Sequence, residues 1–326
     1  MDGLYFGTIV YGMCSMVTYA LVTFVILKHS YKFQKSFFKL FVVGFVMNTI
    51  CYANSYLTMR IPQHTEPNGT FYDFYASLTI NNTETSFPLN LFHTLHFEFA
   101  YTQYIFNFLI CLNRFTAVYA PHRDEKFWTL FLWPIVIAMF VLPFIYSTRH
   151  IFFNHSFFAW NPITSRFSVD SYYPKSSIYD CLTPFLVFVT IVNILLNFAT
   201  WKRIKDMKKK DPTVKIRGSS LFYVSFAGFC IEIFLASLTV LAYYLSHYAD
   251  MTTTLSWTLQ KTCSYLMPFA SDALTLTQPF LVLFYSKKTK NVFYQEFKCL
   301  RRFQKAKIVE ESKTEAGISE TNMGNC

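Results

Sequence analysis

Long apolar runs separated by short polar stretches dominate this chain. Residues 4–27 hold no charged side chain, and residues 37–59 hold only Lys39, close to the start of the run. Comparable runs cover roughly 90–112, 127–146, 178–201, 219–244 and 262–285, the last interrupted by Pro268 and Pro279. A helix rising about 1.5 Å per residue needs roughly 20 apolar residues to cross a hydrocarbon core about 30 Å thick. The pattern therefore predicts seven membrane-spanning helices. Prolines inside a span are tolerated where neighbouring helices cover the freed carbonyls. The first run is expected to stay in the mature protein, because a cleavable signal wants a basic leader and a shorter apolar core. Here Asp2 precedes the run, which ends on Lys28, Lys32 and Lys35. The expected fold class is an all-α membrane protein, a seven-transmembrane helix bundle filling residues 1–303, with a polar tail over 304–326.

Composition supports the membrane reading, since 53% of residues are hydrophobic and 15% charged, against about a quarter charged in a soluble domain. The sidedness of charge sets the orientation. Of the 29 Lys and Arg residues, 24 fall on one face of the seven-span arrangement, and short cytoplasmic loops are enriched in these residues. The N-terminus is thus expected outside and the C-terminal tail in the cytosol. The formal charge of +10 then reflects anionic inner-leaflet lipid as partner, with no role for nucleic acid. Three Asn-X-Ser/Thr acceptors, at Asn68, Asn81 and Asn154, all fall in loops expected outside. Cys181 and Cys263, each near the outer end of a helix, are the one pair placed to form a disulfide, and spacing alone does not decide it.

On the cytosolic side, the loop from Trp201 to Arg217 carries eight basic residues, Arg203 and Lys205 among them, against Asp206 and Asp211. Positive-inside anchoring and partner coupling both account for it. Beyond Ser286, the spacing of Phe293, Phe297 and Leu300 predicts an amphipathic helix lying on the membrane. Cys299 there is a candidate for palmitoylation. From about Gln304 the chain turns polar and is expected to be disordered.

The third apolar run closes with Leu112-Asn113-Arg114-Phe115, continues through Val118-Tyr119-Ala120-Pro121 and leads into Phe127-Trp128. The seventh ends in Phe280-Leu281-Val282-Leu283-Phe284-Tyr285 before a basic segment. Over most of its length the chain resembles the nematode serpentine receptor class gamma family of seven-transmembrane chemoreceptors, of the G-protein-coupled type. The resemblance implies a receptor in the plasma membrane of sensory neurons that binds a small molecule, needs no cofactor and signals through a heterotrimeric G protein. It assigns coupling to Asn113 and Arg114, to which the basic run adds Arg203 and Lys205 as further coupling candidates. The chain departs from rhodopsin-like receptors in three respects. Asn113 rather than an acid precedes Arg114, no cysteine lies around residues 90–98, and Gln278-Pro279 is not followed by Tyr three positions after the proline.

Ionisable side chains inside spans are costly and are functional candidates for that reason. Glu98, Glu232 and Asp272 lie 16, 15 and 15 residues from the basic ends of their helices, roughly 22 to 24 Å above the cytosolic boundary. Their shared depth raises the expectation that they face one outward cavity, with Tyr101 and other aromatic neighbours as walls, suited to a cationic ligand or a bound ion. The competing expectation is hydrogen bonding between helices. His93, His96 and Glu98 do not form a metal site, because at about 100° per residue Glu98 points roughly 140° from His93. No catalytic constellation is legible, which disfavours a membrane enzyme. A channel or transporter, the main alternative, would be expected to show internal repeats with paired broken helices, and none is seen.

Overall fold

Each apolar run becomes a helix. The computed structural model describes residues 3–32, 35–65, 67, 69, 71–79, 87–161, 166–211, 219–248 and 254–298. Helix α1 spans Gly3–Lys28 and α2 Lys35–Ser55, which continues through a π-helical turn, Tyr56–Arg60, into α3, Ile61–Gln63. The short α4 covers Tyr72–Ser77. Then come α5, Leu89–Tyr119, and α6, Pro121–Pro143, extended by a second π-helical turn, Phe144–Thr148, and α7, Arg149–Phe152. Strands β1, Ser156–Asn161, and β2, Arg166–Ser171, precede α8, Lys175–Lys210, α9, Ser219–Tyr248, α10, Thr254–Leu276, and α11, Gln278–Tyr285. A last helix runs over 287–298. Taking α10 and α11 as one bent rod, the bundle has seven long members.

Five of these rods, Phe6–Lys28, Ser36–Gln63, Arg123–Phe152, Ser176–Lys210 and Leu221–Leu245, are individually long and apolar enough to cross a bilayer. The pair Thr258–Leu276 and Gln278–Tyr285 qualifies jointly, with a bend of 46°. Pro279 follows the break directly; its ring removes one helical donor and crowds the carbonyl four residues back. The remaining rod, α5, is long enough at 31 residues, but His93, Glu98, Asn107, Asn113 and Arg114 lower its hydropathy. All five are buried. α5 packs against α2, α6, α8 and α9, so its polar side chains meet protein rather than lipid. This central span is accordingly more polar than the five rods that qualify alone.

Lipid contact explains the outer faces. Leu130, Trp133 and Ile137 on α6, and Phe188 and Leu195 on α8, are exposed, and apolar surface on that scale marks a membrane-facing region. Inside, glycines set two close approaches. The Phe106 ring of α5 occupies the space where a side chain at Gly44 of α2 would stand, and the Tyr52 hydroxyl does the same at Gly12 of α1.

The helical fold carries one addition that the apolar runs do not announce. β1 and β2 pair antiparallel from Ser156 opposite Ser171 to Asn161 opposite Arg166. Phe167, Val169 and Ser171 alternate inward. Phe158, Phe167 and Val169 form a small core with Tyr75 of α4, against which Tyr72 and Trp160 pack. The Phe158 amide donates to the Leu78 carbonyl at 2.9 Å, and His93 on α5 meets Ser156 at 3.2 Å. Hairpin and α4 thus make a cap over one end of the bundle. At the opposite, basic end, Lys28 and His29 bind Glu296, while Phe293 and Phe297 pack onto the core shared by α1 and α2. The 287–298 helix therefore docks on the turn between α1 and α2.

Several expectations lie outside the described residues: the acceptors Asn68 and Asn81, the thiol of Cys299 and the tail over 304–326. Asn154 is described; its side-chain amide donates to the His150 carbonyl at 2.6 Å. Cys181 and Cys263 are free thiols, so the pairing considered from sequence is not formed.

Candidate functional site

A cavity of about 360 Å³ opens under the hairpin, between α2, α5, α8, α9 and α10. Its size falls in the range of small-molecule sites. Phe97 and Phe99 of α5, Leu182 and Leu186 of α8, and Leu235 of α9 give it an apolar flank. Asn54, Ser55, Thr58, Gln103, Thr239 and Ser271 supply neutral polar groups, and Ser168 and Val169 of β2 form its roof. His93, His96 and Arg60 also line it. Among the described residues, no Asp or Glu does.

Arg60 reaches the wall through the π-helical turn at the end of α2. Pro62 has no amide hydrogen, so the carbonyl it would have served is freed and the helix widens here. The widened turn aims the Arg60 side chain inward, where it is only 5% exposed. Its guanidinium lies 5.4 Å from the Tyr52 ring and 4.9 Å from the Tyr56 ring. Nε donates to the Ser55 hydroxyl at 3.3 Å, and the terminal nitrogen binds the Asp272 carboxylate from α10. A buried Arg without such a carboxylate would be strongly destabilising. Arg60 was legible in sequence only as one basic residue on the sparsely charged side; its partner lies 212 positions away.

The expectation that Glu98, Glu232 and Asp272 face one cavity is not met. Each is buried, and each sits on a different seam between helices. Glu98 accepts a hydrogen bond from the Thr148 hydroxyl at 2.6 Å, on the seam between α5 and the second π-helical turn. Glu232 of α9 accepts from the Asn193 amide of α8 at 2.9 and 3.1 Å. Asp272 is held by Arg60, between α10 and α2. Tyr101 likewise turns from the cavity: its hydroxyl donates to Ser147 at 3.1 Å and its ring packs on Phe185. Similar spacing from the basic helix ends did not imply a shared face, and each carboxylate is paired with a donor from a different neighbouring element. Gln103 connects the cavity to α10 by donating to the Thr275 hydroxyl at 2.9 Å.

The far end of α5 carries the second group of predicted residues. Asn113 and Arg114 are buried, and Arg114 donates to the Asn113 side-chain oxygen. The Arg114 guanidinium also stands 4.4 Å from the Phe37 ring of α2. Beside it, the Trp128 indole donates to the Thr116 hydroxyl at 2.9 Å, which donates to Asp124 at 2.7 Å, bracing the corner between α5 and α6. Arg203 and Lys205 do not converge on Arg114. They are exposed on α8, over the rings of Tyr119 at 5.7 Å and Trp201 at 5.2 Å. Tyr119 joins the two helices by donating to the Ala199 carbonyl at 3.2 Å.

One helix, α5, thus contributes His96, Phe97, Ala100, Gln103 and Tyr104 to the capped cavity and Asn113 and Arg114 to the basic end. A family model described as Srg family chemoreceptor matches residues 5–293 of the chain. The chain is also 24% identical over 297 residues to serpentine receptor class gamma-31 of Caenorhabditis elegans, covering 90% of this chain and 93% of that relative.

Proposed function

The chain belongs to the Srg family of chemoreceptors, and from that premise we propose that it is a ligand-activated, non-enzymatic receptor coupled to a heterotrimeric G protein. The observation that carries this reading is the course of α5, which joins the capped cavity to the Asn113–Arg114 end. A small molecule entering under the hairpin favours a helix arrangement in which the basic end opens to a G protein. Such a shift needs only that the ligand bind one arrangement better than the other. Arg114, held by Asn113 and Phe37, is the residue released for coupling, and Arg203 and Lys205 add an exposed basic surface on α8, over Tyr119 and Trp201.

The hairpin end faces outside and the basic end the cytosol, in the plasma membrane of a sensory cell. Support comes from the 24 of 29 basic residues on one side and from acceptors Asn68, Asn81 and Asn154 on the other. Residues 1–303 form the receptor unit and 304–326 a cytosolic tail. Expression of the full chain in a host cell with a G-protein activation readout, against a library of small molecules, tests the proposal. Agonist-dependent activation that is lost in Arg114→Ala while surface expression persists is the expected result. Ligand-driven ion current without any G-protein response would favour the channel reading instead.

A further inference from the structure

Resting on the receptor reading, we infer that the cavity takes an amphipathic small molecule bearing an acidic head, a carboxylate or equivalent anion, which competes with Asp272 for Arg60. Three observations lead there. Among the described residues the cavity wall carries Arg60, His93 and His96 and no carboxylate, so the permanently charged side chain in that wall is a cation, Arg60. Asp272 is not in the wall; it approaches Arg60 from α10 and acts as its counterion. The flank of Phe97, Leu182, Leu186 and Leu235 offers an apolar slot for the rest of the molecule.

A cationic ligand meets the opposite situation. To reach Asp272 it must displace Arg60, leaving a guanidinium that cannot deprotonate beside a second positive charge. An anion displaces Asp272 instead, and a carboxylate left behind can take up a proton where a guanidinium cannot lose one; the fork it binds is desolvated and held by Tyr52 and Tyr56, a geometry suited to bidentate carboxylate binding. Exchange of Asp272 for the ligand at Arg60 loosens the tie between α2 and α10. The same event therefore supplies recognition and a reason for the helices to move, since a change needs differential interaction with the two states.

Matched probes test this on the full-length chain in lipid nanodiscs: phenylbutyrate, phenylbutanamide and phenylbutylamine, with octanoate, octanamide and octylamine as a second set. The expected result is that the acid of at least one set binds tenfold or more tighter than its amide and its amine. Arg60→Gln should erase that preference. Asp272→Asn, which removes the competitor and leaves Arg60 in place, should tighten the acid severalfold, an outcome that a purely structural role for the pair would not produce. Amine or amide binding as tight as the acid overturns the inference, as does failure of both acids to bind. Weaker acid binding in a folded Asp272→Asn protein also overturns it. If either variant fails to fold, the matched sets on the unmutated chain decide alone. G-protein output, measured separately, keeps the two readings apart. An amine that binds and activates sinks the acidic ligand and keeps the receptor. An acid that binds, with no compound ever activating a G protein, does the reverse.

Discussion

Replacing Arg60 by Met should destabilise the chain far more than a typical single substitution, and a second change at Asp272 should restore much of the loss. Arg60 and Asp272 have side chains 6% and 8% exposed, so neither charge is screened by water. Truncating one member of such a pair leaves the other buried and uncompensated, at a cost of about 3–5 kcal/mol. At about 1.4 kcal/mol per tenfold, that is roughly two to four powers of ten in the folded-to-unfolded ratio. Loss of the stacking of Arg60 on Tyr52 and Tyr56 adds to the effect, at about 2 kcal/mol for a desolvated cation on an aromatic face. In the double variant Arg60→Met/Asp272→Leu the orphaned carboxylate is gone, and apolar replacement of a buried pair is often neutral. A double-mutant cycle on thermal inactivation in nanodiscs, with surface expression in parallel, should therefore give a coupling of at least about 3 kcal/mol, the low end of one single loss. Additive losses, or a double variant no better than Arg60→Met, would show that Asp272 is not the counterion holding Arg60.

Three further outcomes are expected. Gly44→Val should lower surface expression, because the new side chain meets the Phe106 ring and overpacking costs about 1–3 kcal/mol; Phe106→Leu in the same chain should restore it. Arg114→Lys keeps the charge but loses the planar fork on Asn113 and Phe37, so agonist-driven G-protein activation should fall while surface expression holds; unchanged activation would reduce Arg114 to a packing role. The hydrogen bonds from Lys28 and His29 hold the Glu296 carboxyl below the usual carboxylate range, so the contribution of this contact is present above the ordinary carboxylate value and lost as pH falls through the lowered one. Spin-label distances between the α1–α2 turn and the 287–298 helix should stay constant into mildly acidic pH and lengthen only below it, and Glu296→Gln should lengthen them throughout.

The positions of the spans were legible because apolar length is a one-dimensional property of the chain. Their ends were less so. The fifth run ends near Trp201, yet α8 continues to Lys210, because Lys, Met and Arg are good helix formers in water as well as at the membrane edge. The hairpin escaped notice because Ser156–Asn161 and Arg166–Ser171 are six-residue segments between two much stronger apolar runs. The alternation of Phe167 and Val169 with polar neighbours in the second segment was the available signal. Among the candidate site residues, the acids stood out by their cost in a membrane, and all three are indeed buried. Their partners did not, because Thr148, Asn193 and Arg60 lie 50, 39 and 212 positions away, and pairing of that range depends on which helix faces meet. Arg60 was hidden further by the π-helical turn, since an ordinary helical wheel would direct it elsewhere.

The most direct measurement is G-protein activation in intact cells expressing either the unmutated chain or Ala100→Trp, with the same membrane-impermeant agonist added outside. Ala100 lines the capped cavity and lies on α5 away from the Asn113–Arg114 end, so the indole fills the cavity without touching the coupling residues. The expected result is a concentration-dependent response from the unmutated chain and none from Ala100→Trp at equal surface expression. An undiminished response from the filled variant would contradict the claim that ligand acts in this cavity.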